Sequence, residues 1–594
     1  MQDHVRTRIL KLTGAKAIGK VQLIQPLWNN YGTLSRVYLD GGAVPSVIVK
    51  HIQIPKDARH PRGFTGDLSR RRKIRSYAVE THWYQHQNKR LADHVPTPKC
   101  LDAFADGGEL FLLLEDLRTR GFTEDLHQAS WSEICCVLRW LAQFHAQFLG
   151  VDSDGLWPSG TYWHLQTRPE ELANIDGSQL HTFASLIDAR LRNAPYQTLV
   201  HGDAKLANFL FQADNTAVAA VDFQYVGGGC AMKDVAYFVG SCLHGAECER
   251  RETEILAVYF DGLKPHLEPG VDGAALEAEW RALYPLAWAD FQRFMLGWSP
   301  SHRKLTDYSD ATSQRTIKQI SDELLDAARS ACLAAGAFIQ ANRHRPMSVS
   351  SKGLSTPASD VVTDIDLQAQ QIILEHLEPT LAPYDLGILA EEGHHDSSRL
   401  AKHAFWTVDP LDGTQYFIEG SAGYATSIAL VSQSGEPILG VVYDPVGQAL
   451  FEVVRGGDVH LNGRPFKPAA ENHAASGSIQ WFADRSLKDH PDFARYQTAF
   501  DIHFSGGAVM NGINVLKGAR SIYVKAPKKA TGGCAIWDLA AVSLMIEICS
   551  GTASVYDGSP LPLNRAETVF FNDVGLCFLS AGLNREQVMA LIDG

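Results

Sequence analysis

The spacing of apolar and polar positions changes character along the chain. Residues 20–26, 36–40 and 46–54 are apolar or alternating over strand-length stretches, separated by Asn29-Asn30-Tyr31-Gly32 and Gly41-Gly42, and predict strands joined by turns. A basic segment, 59–75, leads into a predicted helix over 76–91. A further apolar strand, 110–114, ends in Glu115-Asp116-Leu117, after which the spacing turns helical, as over 131–148. Two short strands follow near Leu199 and Val221. A second regime opens with helical spacing over 317–341 and continues with apolar strands at 405–408, 426–431 and 438–443. Residues 300–316 are polar and aperiodic. The expected domain boundary falls there, giving domains 1–315 and 316–594.

Composition adds a few constraints. A chain of 594 residues exceeds what one hydrophobic core supports, and its 45% hydrophobic and 20% charged residues are those of an ordinary globular protein. The formal net charge of −13 speaks against nucleic acid or an anionic membrane as a partner. Any phosphate site must therefore be built locally from metals, basic side chains and backbone amides. The opening residues lack the long apolar core of a signal peptide, and no apolar run reaches bilayer length. Ten cysteines without a C-x-x-C pair predict neither a disulfide framework nor a zinc site, which favours a cytoplasmic location.

Leu199-Val200-His201-Gly202-Asp203 runs from an apolar strand end into a loop, Asn208 follows, and Val221-Asp222-Phe223 again places an acid at a strand end. Phosphoryl transfer needs such parts. One carboxylate takes the proton of the accepting hydroxyl, while a carboxamide and a second carboxylate hold the Mg²⁺ that bridges the ATP phosphates. The ordered set resembles the kinase-like phosphotransferases of the aminoglycoside and choline kinase superfamily. Asp222-Phe223-Gln224 and Asp234-Val235-Ala236-Tyr237-Phe238 bring it nearest to the ecdysteroid-kinase-like branch. The resemblance implies a bilobal protein-kinase-like fold with Asp203 as catalytic base and Asn208 and Asp222 as metal ligands. It also implies that Lys50 holds ATP phosphates with Glu80 as its helix partner, and that the backbone of Glu115 to Leu117 meets adenine. The nucleotide loop, 28–35, has one glycine where protein kinases have G-x-G-x-x-G. The run Arg70-Arg71-Arg72-Lys73 reads as a solvated loop or helix start without a ligand.

In the second half, Trp406-Thr407-Val408-Asp409-Pro410-Leu411-Asp412-Gly413-Thr414 delivers two carboxylates three apart across a Pro-bearing turn. Each can ligate a hard cation, with the Leu411 carbonyl as a further oxygen. The amides after Gly413 would cradle a phosphate if a helix starts there. Glu391-Glu392 closes another apolar run, and Trp537-Asp538 opens an apolar helix. Two Mg²⁺ ions held by such acids can activate a water and stabilise a leaving oxygen. The set resembles the inositol monophosphatase superfamily, which implies a layered αβαβα fold. By that resemblance Glu391, Asp409, Leu411, Asp412 and Asp538 bind metal, Thr414 acts with Glu391 on the nucleophilic water, and Asp366 is a further catalytic acid. Gly440-Val441-Val442-Tyr443-Asp444-Pro445 leans toward the 3′(2′),5′-bisphosphate nucleotidases, whereas Gln415-Tyr416-Phe417 stands where that branch commonly has K-E-F. Lys525, Lys528 and Lys529 are the basic residues that could compensate.

These readings imply a two-domain α/β enzyme using ATP and Mg²⁺. One half phosphorylates a small-molecule alcohol, and the other hydrolyses a bisphosphate nucleotide, inositol phosphate or sugar-like phosphate. The alternative is a phosphatase regulated by a non-catalytic nucleotide-binding module. Protein-kinase activity is disfavoured, because H-G-D replaces H-R-D and no D-F-G…A-P-E segment follows. A homodimer through the phosphatase half is a further expectation.

Overall fold

The computed structural model describes residues 2–53, 67–106, 108–214, 216–345, 349–351, 361–393, 397–469, 478–529 and 532–594. The chain forms two compact units, Met1–Thr316 and Ile317–Gly594. Ile54, residues 59–66 of the basic segment and Asp360 lie outside the described residues.

The first unit opens on an antiparallel sheet of β1 (Ala17–Pro26), β2 (Gly32–Asp40), β3 (Ser46–Ile52), β4 (Cys100–Asp106) and β5 (Glu109–Glu115), in the order β1-β2-β3-β5-β4. β2 starts at Gly32 for a steric reason: φ is +135°, and a Cβ there would lie 1.9 Å from the His51 carbonyl oxygen. β4 was not foreseen. It is an edge strand whose half-exposed residues carry little apolar signal.

The helix expected over 76–91 is instead Asp67–His82, followed by one π-helical turn over Trp83–Gln87. It begins inside the basic run because arginine and lysine are good helix formers. The arginine guanidinium groups also make tertiary hydrogen bonds that hydropathy does not register. Arg72 donates to the Thr167 carbonyl (2.6 Å) and Arg75 to that of Leu156 (2.9 Å). The rest of the unit is mainly helical, including Trp131–Gln147 with a Ser130/Glu133 capping box, Met232–Cys242 and Gly273–Trp298.

Residues 300–316 are not aperiodic throughout, since the helix Asp307–Asn342 starts within them. Its first turns bury Ser309, Thr312, Ser313 and Thr316, each at most 1% exposed. Small hydroxyl side chains thus take the inward positions where apolar ones were sought.

The second unit is layered. Ala404–Asp412 is buried along its whole length, pairs parallel with Gly387–Ala390 and antiparallel with Ala425–Ser432, and belongs to a seven-stranded sheet. One continuous core joins Phe405, Val442 and Phe451 of this sheet to Ile513 and Leu539. Those two lie on the helices Ala508–Lys517 and Ile536–Ile548, and the same core reaches Tyr523 and Phe578 of a second, five-stranded sheet. A further core packs Trp481, Ile522 and Leu579 against Val588 and Ile592 of the helix Arg585–Asp593. On the outer side of the first sheet, Arg329 of the helix Asp307–Asn342 donates to Glu452 (2.5 Å). Helices and sheets therefore alternate in an αβαβα stack. The ten cysteines are free thiols, and no described helix is long and apolar enough to cross a membrane.

Candidate active sites

In the first unit Lys50 on β3 meets Glu80 on the helix Asp67–His82 at 2.8 and 2.7 Å, both side chains being buried. Lys50 also faces Asp222 at 3.5 Å. Burial would lower the Lys50 ammonium, but Glu80 and Asp222 outweigh it and hold the group above its ordinary range. At the end of β5, Glu115 accepts from the Lys99 amide (3.2 Å), and Leu117 is buried. Asp116 between them was given no role of its own, yet it locks the segment by accepting from Arg36 and Ser46, both at 2.6 Å.

Asp203 sits on a loop held from below. The Asp234 carboxylate accepts from the amides of His201 (2.5 Å) and Gly202 (2.9 Å) and also contacts His145. Gly202 has φ +79°, and a Cβ there would stand 2.1 Å from the Tyr225 carbonyl oxygen, so the tight approach demands glycine. The Asp203 carboxylate then receives the Tyr237 hydroxyl (3.1 Å), the Lys205 ammonium (3.0 Å) and the Asn208 amide (3.1 Å). Both side-chain hydrogen bonds that Asn208 makes among the described residues use its nitrogen.

Asp222 follows the short strand Val218–Ala220 and adopts φ +69°. Burial would raise its carboxyl, but Lys50, Lys73 and Lys205 outweigh that and bring it down to about 2. Gln224 bridges Lys73 and Asp222, each at 2.5 Å. The basic run is therefore not merely solvated, because Lys73 belongs to this site. Its signal in the sequence was hidden, since four consecutive cations give no hint of which one turns inward.

The second unit gathers its acids differently. Asp409 and Asp412 lie near the end of the strand Ala404–Asp412, and the pairing register with Ala425–Ser432 shifts between them. Asp538 opens the helix Ile536–Ile548, its carboxylate accepting from the Ala535 amide at 2.8 Å. One oxygen from each of Asp409, Asp412 and Asp538 lies within 4.8 Å of the others. The Asp412 carboxylate also receives the amides of Ala508 (3.0 Å) and Val509 (2.9 Å).

Burial pushes Asp409 well above the usual carboxylate range, and Glu391, Asp538 and Asp412 add repulsion. Burial and Asp538 do the same to Asp412, and burial raises Asp538 to about 6. Three buried carboxylates so placed fit hard divalent cations, whose charge would offset the repulsion.

Glu391 lines the same cavity of about 660 Å³ but stands outside the close trio. Thr414 donates to the Leu411 carbonyl and to Asp366 Oδ1, both at 3.1 Å. Asp366 is fully buried and anchored by the Thr363 amide at 2.9 Å, so it braces Thr414 from beneath. The helix after Gly413 spans only Thr414–Ile418. On the cavity wall Lys525 pairs with Asp484 (2.5 Å) and Arg485 with Glu419 (2.6 Å). Asp484 and Arg485 were not foreseen, because the segment carrying them follows no motif.

Comparisons with known proteins divide along the same lines. The model of the inositol monophosphatase family matches residues 320–585, and that of the phosphotransferase enzyme family matches residues 31–276. Inositol-1-monophosphatase of Synechocystis sp. is 32% identical over 255 residues, covering 42% of this chain and 84% of that protein. Nus factor SuhB of Xylella fastidiosa is 31% identical over 209 residues, covering 34% and 72%. The 3′(2′),5′-bisphosphate nucleotidase CysQ of Aggregatibacter actinomycetemcomitans is 25% identical over 240 residues, covering 39% and 85%.

Proposed function

Through residues 320–585 the chain belongs to the inositol monophosphatase family, and from that premise we propose that it is a bifunctional enzyme of phosphate monoesters. Its second unit hydrolyses such an ester, and its first transfers a phosphoryl group from ATP to an alcohol. The observation that carries the hydrolase reading is the buried trio Asp409, Asp412 and Asp538, which share one cavity without a lysine or arginine hydrogen-bonded to any of them among the described residues.

These three, with Glu391 and the Leu411 carbonyl, would hold Mg²⁺. The chemistry supplied there by the metal is Lewis-acid activation of water and neutralisation of phosphate charge. The protein's own contribution is positional. Asp366 fixes the Thr414 hydroxyl, and the Ala508 and Val509 amides fix Asp412. Glu391 and Thr414 orient the water.

Both cations on the wall, Lys525 and Arg485, already have carboxylate partners. Lys528 acts on Asp484 and Lys525 and has no ion pair among the described residues, but it does not line the cavity, so a second phosphate would meet only compensated cations on the wall itself. A polyol or sugar-type monophosphate is therefore the favoured substrate, ahead of a bisphosphate nucleotide.

In the first unit, Asp203 takes the alcohol's proton while the oxygen attacks the γ-phosphorus and the electron pair leaves with ADP. Lys50 holds the nucleotide phosphates, and Asn208 and Asp222 would hold Mg²⁺. The assembled set around Asp203 supports a catalytic role over a purely regulatory one. The test is Mg²⁺-dependent phosphate release from myo-inositol 1-phosphate and from adenosine 3′,5′-bisphosphate, with Asp409→Asn as control. Faster turnover of the nucleotide would overturn the substrate preference. Release that is independent of Mg²⁺ and unchanged in the variant would overturn the site.

A further inference from the structure

One cation beside the base of the first unit has no place in the scheme above. Lys304 lies in the segment between the helices Gly273–Trp298 and Asp307–Asn342. Its ammonium stands 4.2 Å from the ring centre of Tyr237 and 5.4 Å from that of Phe291. Tyr237 is the residue whose hydroxyl donates to Asp203 at 3.1 Å, so Lys304 packs on the ring that touches the base. Among the described residues no carboxylate forms an ion pair with it. The groups acting on it most strongly are Asp203, Lys205, Arg303 and Cys242, of which two are cations. An ammonium half-withdrawn from water without a carboxylate is costly unless a ligand supplies the negative charge.

The aromatic surroundings argue the same way. Tyr162 and Phe294 pack edge to face at 5.4 Å, and Tyr162 and Tyr237 at 5.5 Å. Such a cluster could in principle receive a quaternary ammonium on its ring faces. The protein already supplies its own cations to these rings: Lys304 to Tyr237, and Arg168 to Phe294 at 4.9 Å, the latter already paired with Glu171 at 3.0 Å, so that Lys304 is the cation left to set the charge preference. A cationic alcohol would meet like charge, whereas an anionic one would meet its complement.

We propose that the phosphoryl acceptor of the first unit is an anionic alcohol, with its carboxylate or phosphate bound by Lys304 and its hydroxyl delivered to Asp203. This rests on the phosphotransferase reading of that unit and adds the class of acceptor. The O–H bond breaks toward Asp203, the new O–P bond forms at the γ-phosphorus, and the bond to the ADP oxygen breaks with its electron pair leaving on ADP.

The test uses the full chain with Mg²⁺ and a non-hydrolysable ATP analogue, pulsed with acetic anhydride at fixed pH. Acetylation of each lysine is read by mass spectrometry. Four probes are compared: glycerate, glycerol 3-phosphate, glycerol and choline. At probe concentrations near four times Kd, glycerate or glycerol 3-phosphate should slow acetylation of Lys304 about fivefold, while glycerol and choline leave it unchanged. Which of the two anions protects identifies a carboxylate or a phosphate as the group held.

Protection by choline or glycerol as strong as by the anions overturns the proposal, and so does the absence of protection by either anion. Lys50 in the same spectra keeps the two readings apart, because its protection depends on the nucleotide. Nucleotide protection of Lys50 without anion protection of Lys304 sinks this proposal alone. The converse overturns the ATP reading and the acceptor role with it, and leaves only an anion site at Lys304. Lys304→Gln should keep nucleotide protection of Lys50, showing a folded site, and lose any anion-dependent protection of Lys205.

Discussion

The two units both place aspartates at or just beyond the ends of buried elements, yet they treat the charge in opposite ways. Asp222 in the first unit is surrounded by Lys50, Lys73 and Lys205, which hold its carboxyl down to about 2 against the pull of burial. Asp409, Asp412 and Asp538 in the second have mainly one another and Glu391, and burial with mutual repulsion drives their carboxyls up. On the proposed function the difference matches what each site would receive. A nucleotide would bring several negative charges, for which lysines stand ready, whereas a site that collects divalent cations is left short of positive charge until they arrive. Similar acids at the ends of strands thus mean different chemistry according to their neighbours.

The sharpest way to break this comparison is to neutralise one acid on each side. Asp409→Asn should lower phosphatase turnover by about a thousandfold while leaving phosphoryl transfer by the first unit unchanged, as steady-state assays of both reactions would show. In Mg²⁺-free buffer the same change should raise the melting temperature, because a repelled buried carboxylate has been removed. Asp222→Asn should lower transfer from ATP by about a hundredfold or more. Here the melting temperature should fall, because Lys50 and Lys73 lose a counter-charge. Melting shifts of the same sign in both variants would sink the electrostatic contrast.

A smaller effect sharpens the second half of the comparison. Gly507 lies where an added Cβ would stand 2.4 Å from Asp412 Oδ2. Gly507→Ala should push Asp412 off the amides of Ala508 and Val509 and raise the Mg²⁺ concentration for half-maximal phosphatase activity about tenfold or more. The maximal rate at saturating Mg²⁺ should change less. An unchanged Mg²⁺ requirement would mean that the position of Asp412 is not what the metals depend on.

How much of this was legible in the sequence depends on whether a residue's partner is local. Asp409, Asp412 and Asp538 each stand beside a glycine, proline or tryptophan in a short string, and their convergence is a consequence of strand and helix ends that the apolar pattern marks. Lys50 and Glu80 were less readable, since a strand lysine and a helix acid taken singly have many other uses, and only the resemblance carried by the Asp203 and Asp222 motifs joined them; their pairing is seen in the structure. The brace of Thr414 by Asp366 and the clamp of His201 and Gly202 by Asp234 were visible only as acids in a motif, without their hydrogen bonds. Lys73, Asp484 and Lys304 were not legible. Lys73 is one of four consecutive cations and the other two lie in segments of unremarkable composition, and each reaches its site through a tertiary contact that no periodicity encodes. The start of the helix Asp307–Asn342 was missed for a related reason, because its inward face is lined by hydroxyls.

The subtlest expected effect concerns Lys304 and the acceptor. Burial lowers its ammonium to about 8, with Lys205 and Arg303 pushing the same way and Asp203 and Cys242 opposing them. Tyr237 and Phe291 cover it with ring faces and add no titrating carboxylate. A lysine whose folded value lies below its unfolded one contributes stability above pH 10.5, and that contribution is lost as pH falls through about 8. An anion bound to the charged form recovers part of the loss. Affinity for an anionic acceptor should therefore be level below pH 8 and weaken above it, approaching about tenfold per pH unit. Calorimetric titration of the nucleotide-bound chain with whichever anion protects Lys304 would show this limb. Lys304→Arg should move it to higher pH while leaving affinity at pH 7 within a few-fold. Phosphatase activity of the second unit should show no such dependence on Lys304→Arg at any pH, because the residue lies in the other unit. A limb that persists unchanged in Lys304→Arg would assign the titration to another group and remove the pH support for an anion held at this position.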